Sequence, residues 1–238
     1  MTYRLFYWPG LQGRGEFVRV AFEDVAEPYI DVVREDGPQG RAAMAALMGG
    51  GEDRPAFAPP ILEDGDVLIS QTANILLYLG PRLGLAPPDE GLRHTAHGLQ
   101  LTIADLVNEA HDTHHPISGN LFYEDQKEAA KACATEFLNN RAPKYLGYFD
   151  KTLAVGDGFA VGGAHSYVDL SLFQVVAGLA YAFPRAMARF DERWPALAAL
   201  TERVGRRPRL AAYLASPRRI PFNETGIFRH YPELDIDA

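Results

Sequence analysis

The hydrophobic pattern of this chain changes period near residue 82 and does not change back. Before that point, short β-favouring runs alternate with helical ones. TYRLFYW is aromatic and strand-like. Gly10, Gly13 and Gly15 then punctuate a turn, and EFVRVAFEDV repeats apolar residues at helical spacing. YIDVV predicts a second strand, whereas residues 37–58 are rich in Gly and Ala and have no readable period. APPILEDGDVLIS predicts a hairpin turning over residues 63–66. ANILLYLG, opened by Gln71 and Thr72, predicts a helix closed by Gly80 and Pro81. LGLAPPDEG has the composition of a linker, and beyond it every periodic segment is helical, with no convincing strand.

That order, βαβ then ββα, is a thioredoxin-like α/β layout with a mixed four-stranded sheet over residues 1–82. Residues 90–238 form an all-α helical bundle, ending in a tail expected to pack on the surface. The chain is long enough for both units to bury a core, and its 47% hydrophobic and 23% charged residues are ordinary for a globular protein. A net charge of −8 without a basic stripe argues against nucleic acid. No apolar run reaches a membrane span, and MTYRLFYWPG lacks the charged and apolar regions of a leader. The expectation is a cytoplasmic protein that begins near Met1. Cys133 is the single cysteine, which excludes an intrachain disulfide and an all-thiolate metal site; its amphipathic helix predicts a buried thiol.

Four stretches carry a resemblance: YWPGLQGRGEFVR, PPILEDGDVLISQTANILLYLG, the ADL of residues 104–106, and VGGAHSYVDLSLF. In this order and spacing they resemble the cytosolic glutathione transferases, most closely their tyrosine-type pi, alpha and sigma branch. The similarity spans nearly the whole chain and is poor over residues 36–58 and the tail. It implies a homodimeric detoxification enzyme with glutathione as co-substrate, no metal, and a small hydrophobic electrophile as the second substrate. A glutathione-dependent isomerase or peroxidase on the same fold, or a non-catalytic glutathione-binding module, are the alternatives.

Within that resemblance Tyr7 matches the catalytic tyrosine, whose hydroxyl favours the glutathione thiolate; Tyr3 and Phe6 are the positions that a shifted alignment would select. The turn PGLQGRG is one residue longer than the family pattern. Pro60 matches the cis-proline, and Pro59 before it offers a carbonyl but no N–H; Ala58 stands where pi-like members carry glutamine. Gln71 and Thr72 match a pair that reads the γ-glutamyl group at a helix start, and the same pair also serves as plain capping. Arg14 matches a basic residue near the glutathione carboxylates. Asp105 matches an acidic residue that reaches the ammonium of glutathione held by the partner. Phe57 matches an aromatic key between subunits. Ser166 and Asp169 have the spacing of a capping box, although His165 replaces the usual apolar residue before the cap. His111, His114 and His115 have helical spacing and read as a wall of the second-substrate cleft or as surface, ahead of a metal site.

Overall fold

A computed structural model describes residues 2–49 and 55–237. Four strands, β1 (Tyr3–Phe6), β2 (Tyr29–Asp31), β3 (Ile61–Asp64) and β4 (Val67–Ser70), form one sheet in the order β2-β1-β3-β4. β1 runs parallel to β2 and antiparallel to β3, and Leu5 lies opposite both Asp31 and Leu62. The β3–β4 hairpin is tighter than the sequence suggested: Asp64 pairs with Val67, and the turn is Gly65 and Asp66 alone, with Gly65 at φ +59°. β2 is also shorter than YIDVV, because Val32–Glu35 coils into a short helix, α2.

Helix α1 (Glu16–Val25) follows the first turn and is buried on both faces. Val18 and Phe22 pack on Leu5, Leu62 and Ile69 of the sheet. Phe17, Val20 and Ala21 face a much larger core shared with the helices that follow. Burying Phe22 alone contributes roughly 2 kcal/mol. Residues 37–49, unreadable in sequence, form helix α3 (Gly37–Gly49), with Met44 and Leu47 in a small core under Phe6 and Ile61. Helix α4 (Thr72–Arg82) runs through Gly80 and Pro81 instead of stopping there. Pro81 falls in the last turn, where only one backbone bond is lost.

The second unit is entirely helical among the described residues: α5 (Glu90–Asp112), α6 (Lys127–Glu136), α7 (Ala142–Val155), α8 (Tyr167–Ala182), α9 (Phe190–Arg193), α10 (Pro195–Gly205) and α11 (Pro208–Leu214). α6 and α7 are joined by one π turn, Phe137–Arg141. The architecture is thus a thioredoxin-like N-terminal domain joined to a helical C-terminal domain. α8 is the central helix, and its start is fixed by the expected capping box. One Asp169 carboxylate oxygen accepts both the Ser166 N–H at 2.8 Å and the Ser166 hydroxyl at 2.7 Å. The other Asp169 oxygen accepts the Ala160 N–H at 3.0 Å. His165, in place of an apolar residue, bonds Asp24 of α1 at 3.2 Å, so a polar contact does the work of a staple.

Two expectations are corrected. Cys133 is half-buried, since α6 turns that position partly outward. The tail is not a surface strap: Ile220, Ile227, Phe228 and Leu234 are buried, and the Phe228 ring lies where a side chain at Gly178 would be. Replacing Ser166 with Ala should cost about 1 kcal/mol, and calorimetry should show the melting temperature fall by about 2–4 °C for a chain of this length.

Candidate functional site

The chain leaves β1 at Phe6, so Tyr7 is the first residue beyond the sheet, and its side chain is only 4% exposed. The turn above it ends in a single 3-10 turn at Gly13–Gly15. There the backbone N–H of Arg14 donates to the Tyr7 hydroxyl oxygen at 2.8 Å. Both flanking glycines are dictated by the ring. A Cβ on Gly15 would sit 2.5 Å from Cγ of Tyr7, and Gly13, at φ +50°, lies against the hydroxyl. Burial pushes the Tyr7 phenol above its ordinary value, while the Arg14 N–H and the charges of Arg14 and Arg19 pull it back. Tyr7 is therefore protonated at neutral pH. Its oxygen already accepts one bond, which leaves the hydroxyl proton to donate.

Arg14 joins three elements. Its N–H holds Tyr7, its carbonyl accepts from the Thr72 hydroxyl at 3.3 Å, and its guanidinium donates to Asn108 Oδ1 of α5 at 2.5 Å. Asn108 escapes a sequence reading because an Asn on a long polar helix looks like solvated surface. Gln12, in the same turn, is tied to distant elements. The Gln12 side chain is buried and donates to the Ile220 carbonyl of the tail at 2.6 Å, while accepting from Gln174 of α8 at 2.8 Å.

Gln71 stands before α4 with φ +72° and ψ +121°, a backbone conformation rare outside glycine. Its side chain makes no capping bond, so plain helix capping does not account for it, and the first N–H groups of α4 are left free. Such strain in a non-glycine residue clusters at functional sites. A cleft of about 320 Å³ opens between α4 and α5, lined by Arg14, Gln71, Thr72, Asn108 and an apolar floor that includes Phe17 and Val107. Three of the residues singled out from sequence, Arg14, Gln71 and Thr72, therefore share one cavity, and Tyr7 is bonded to its edge through Arg14. Pro59 and Pro60, joined by a cis bond immediately before β3, do not line it, and neither does Asp105, which is exposed on α5. Phe57 is 92% exposed.

Of the three histidines at the end of α5, His114 holds the tail. Nε2 of the buried His114 pairs with the Ile227 carbonyl at 2.7 Å, and burial lowers its pKa to about 3, which keeps the ring neutral. His111 and His115 stack beside it with ring centroids 5.3 Å apart. Asn223 of the tail donates to the Gly10 carbonyl at 2.9 Å, so the first turn, the end of α5 and the tail meet around one region.

Residues 111–217 match the family model described as glutathione S-transferase, C-terminal domain. Over 231 residues the chain is 28% identical to glutathione S-transferase P of Bos taurus, covering 94% of this chain and 98% of that one. It is 24% identical over 220 residues to a glutathione S-transferase of Plasmodium falciparum, covering 89% and 95%. Among solved structures it superposes on the pi-class glutathione S-transferase of Onchocerca volvulus with a TM-score of 0.72 at 22% identity, covering 95% of this chain and 99% of that one. It superposes on prostaglandin synthase D of Nilaparvata lugens with a TM-score of 0.69 at 19% identity, covering 93% and 100%.

The Gly15→Ala change should cost about 1–3 kcal/mol through overpacking against the Tyr7 ring. Gly10→Ala, where a Cβ meets nothing within 4 Å, should stay within about 0.5 kcal/mol. Urea unfolding of the two variants checks the contrast.

Proposed function

We propose that this chain, which belongs to the glutathione S-transferase family of enzymes, binds glutathione along the Arg14–Gln71–Thr72 cleft and activates its thiol through the Tyr7 hydroxyl. The observation that carries this reading is the Arg14 N–H bonded to the Tyr7 oxygen. It orients the phenol and leaves the hydroxyl hydrogen free to donate a hydrogen bond to the sulfur. A free thiol of this kind titrates at about 8.5, so only a few per cent is ionised at pH 7. Lowering that by about two units needs about 2.7 kcal/mol of preference for the thiolate. A charge-assisted hydrogen bond, aided by a helix N-terminus, is of that size.

In this reading the γ-glutamyl end of glutathione lies at the free N–H groups of α4, beside Gln71 and Thr72, with Arg14 near a carboxylate. The backbone at Pro59 accepts through its carbonyl, and the reciprocal donor is missing because proline has no N–H. The thiol proton leaves to solvent and the thiolate attacks an electrophilic carbon. The S–C bond forms as the leaving group, or the displaced electron pair, departs. The second substrate, a small and largely apolar electrophile, lies between the first turn, the end of α5 and the tail. Residues 1–82 supply glutathione recognition and residues 90–238 most of the second-substrate wall. The protein works in the cytoplasm as a homodimer, with Phe57 as the exposed aromatic at the subunit contact.

A second reading, a glutathione-binding module without catalysis, is favoured by the missing donor at Pro59 and by Ala58. Ultraviolet titration of the glutathione complex between pH 5 and 9 separates the two. Wild type should show thiolate absorbance with an apparent pKa about two units below the free thiol, and Tyr7→Phe should return it towards about 8.5 while still binding glutathione. A thiol that titrates normally in wild type would favour the carrier.

A further inference from the structure

The face of the Tyr7 ring is covered by a charge that makes no hydrogen bond to the phenol. The Arg19 guanidinium carbon lies 5.6 Å from the ring centroid, within the range of a cation–π contact. Arg19 is 0% exposed and Tyr7 4%, so water does not screen the pair. The hydrogen bonds of Arg19 go elsewhere. Its Nε donates to Asp31 at 2.8 Å, and its Nη1 is shared among Glu16 and the carbonyls of Leu11 and Gln12. Nη2 is buried and finds no oxygen among the described residues. Leaving such a donor bare is unfavourable, and the π face of Tyr7 is an acceptor within range.

This charge is permanent, and its own partners do not cancel it. Burial works against the Arg19 cation, but Glu16 and Asp31 outweigh that and hold its pKa above the ordinary arginine value. Those carboxylates are in turn shared, Glu16 with Arg219 at 2.6 Å and Asp31 with Arg34 at 3.5 Å. Burial raises the Tyr7 phenol, and the charges that oppose it are those of Arg14 and Arg19. Arg14 also acts at the oxygen, through its N–H; Arg19 acts through the ring. Stabilising the phenolate makes the neutral phenol a stronger donor. Building on the reading in which Tyr7 donates to the glutathione sulfur, we propose that Arg19 is a positioning residue for that step: its charge polarises the Tyr7 ring and strengthens the hydrogen bond that the hydroxyl gives to the thiolate. Asp31, on the strand beside β1, is then a counterweight. The more it neutralises Arg19, the weaker the donor becomes.

Two titrations test this. The phenol is titrated in the ligand-free protein, by the fluorine NMR signal of a fluorotyrosine placed at position 7. The glutathione thiol is titrated in the complex, by its ultraviolet absorbance. Arg19→Met combined with Asp31→Asn removes the cation together with its counter-ion, while Glu16 keeps Tyr213 and Arg219. The phenol pKa should rise by roughly one unit, the scale of one charge at this distance inside a protein. The thiol pKa should rise with it, by roughly half a unit. Asp31→Asn alone, which leaves Arg19 in place, should lower both. A merely structural role has another signature. A loosened turn admits water, which brings the phenol down towards about 10, while a poorly held hydroxyl lets the thiol rise. Shifts of opposite sign in either variant, or an unmoved phenol, overturn the proposal. If the double variant does not fold, Asp31→Asn decides alone: two falling values support the proposal and any other result overturns it. A wild-type thiol that titrates at about 8.5 removes the glutathione reading and the step that Arg19 serves. The phenol, titrated without ligand, tells that failure from a failure of Arg19 to act on the ring.

Discussion

The geometry around the first turn depends on a carboxylate that never meets water. Glu16, fully buried, accepts from the Tyr213 hydroxyl at 2.6 Å, from Arg219 at 2.6 Å and from Arg19 at 3.3 Å. Arg19, equally buried, passes the connection on to Asp31 of β2 at 2.8 Å and to the carbonyls of Leu11 and Gln12. Arg219 extends it to Gln174 of α8. One network thus ties α1, the sheet, α8, α11 and the tail to the loop that roofs Tyr7. Its worth is specificity more than stability. Buried ions lose solvation in amounts comparable to what they gain, but removing one partner strands the others at about 3–5 kcal/mol. The Arg19 guanidinium also lies 5.6 Å from the Tyr7 ring centroid, so the ion that shapes the turn touches the phenol it presents.

A second polar device joins the two halves of the chain. Burial alone would raise the Asp24 carboxyl, yet His165 and Arg207 hydrogen-bond it and hold it below the ordinary carboxylate range. Arg207 uses two nitrogens, at 2.5 and 2.9 Å. This explains why a histidine can stand where an apolar staple would be usual before α8. Its partner on α1 is charged, and the contact crosses from one domain to the other. Hydrophobic burial brings α1 and the helical bundle together, and these pairs fix their relative angle.

The parts of the fold that were legible in sequence are those in which a periodic apolar face coincides with an element. Helix α1 and the β3–β4 hairpin are read directly from spacing. Helix α3 is not, because it is built from Gly, Ala and Met with few buried positions and is held by contact instead of by an amphipathic face. Gly40 in its first turn admits the Val32 backbone, a reason invisible in one dimension. Arg14, Gln71 and Thr72, which share the α4–α5 cleft, stand out in sequence because they sit in motifs of fixed spacing. Asn108 and Gln12 do not, since single amides on a polar helix or in a turn resemble ordinary surface. The burial of the tail is illegible for a related reason. Its few apolar residues have no period, and the slot that receives Phe228 is announced only by a glycine inside α8.

Gln12 bonds the backbone of Ile220, a contact between residues 208 positions apart, and the Arg219 that braces Glu16 is its neighbour. The loop over Tyr7 therefore takes its form from contacts of very long sequence separation, which are costly to close and late to form. The strand and helix of residues 3–25 are local and can form on their own. Their turn is set only when segments far apart in the chain have met: cutting the chain before residue 219 would keep most of the core and leave the turn without its brace.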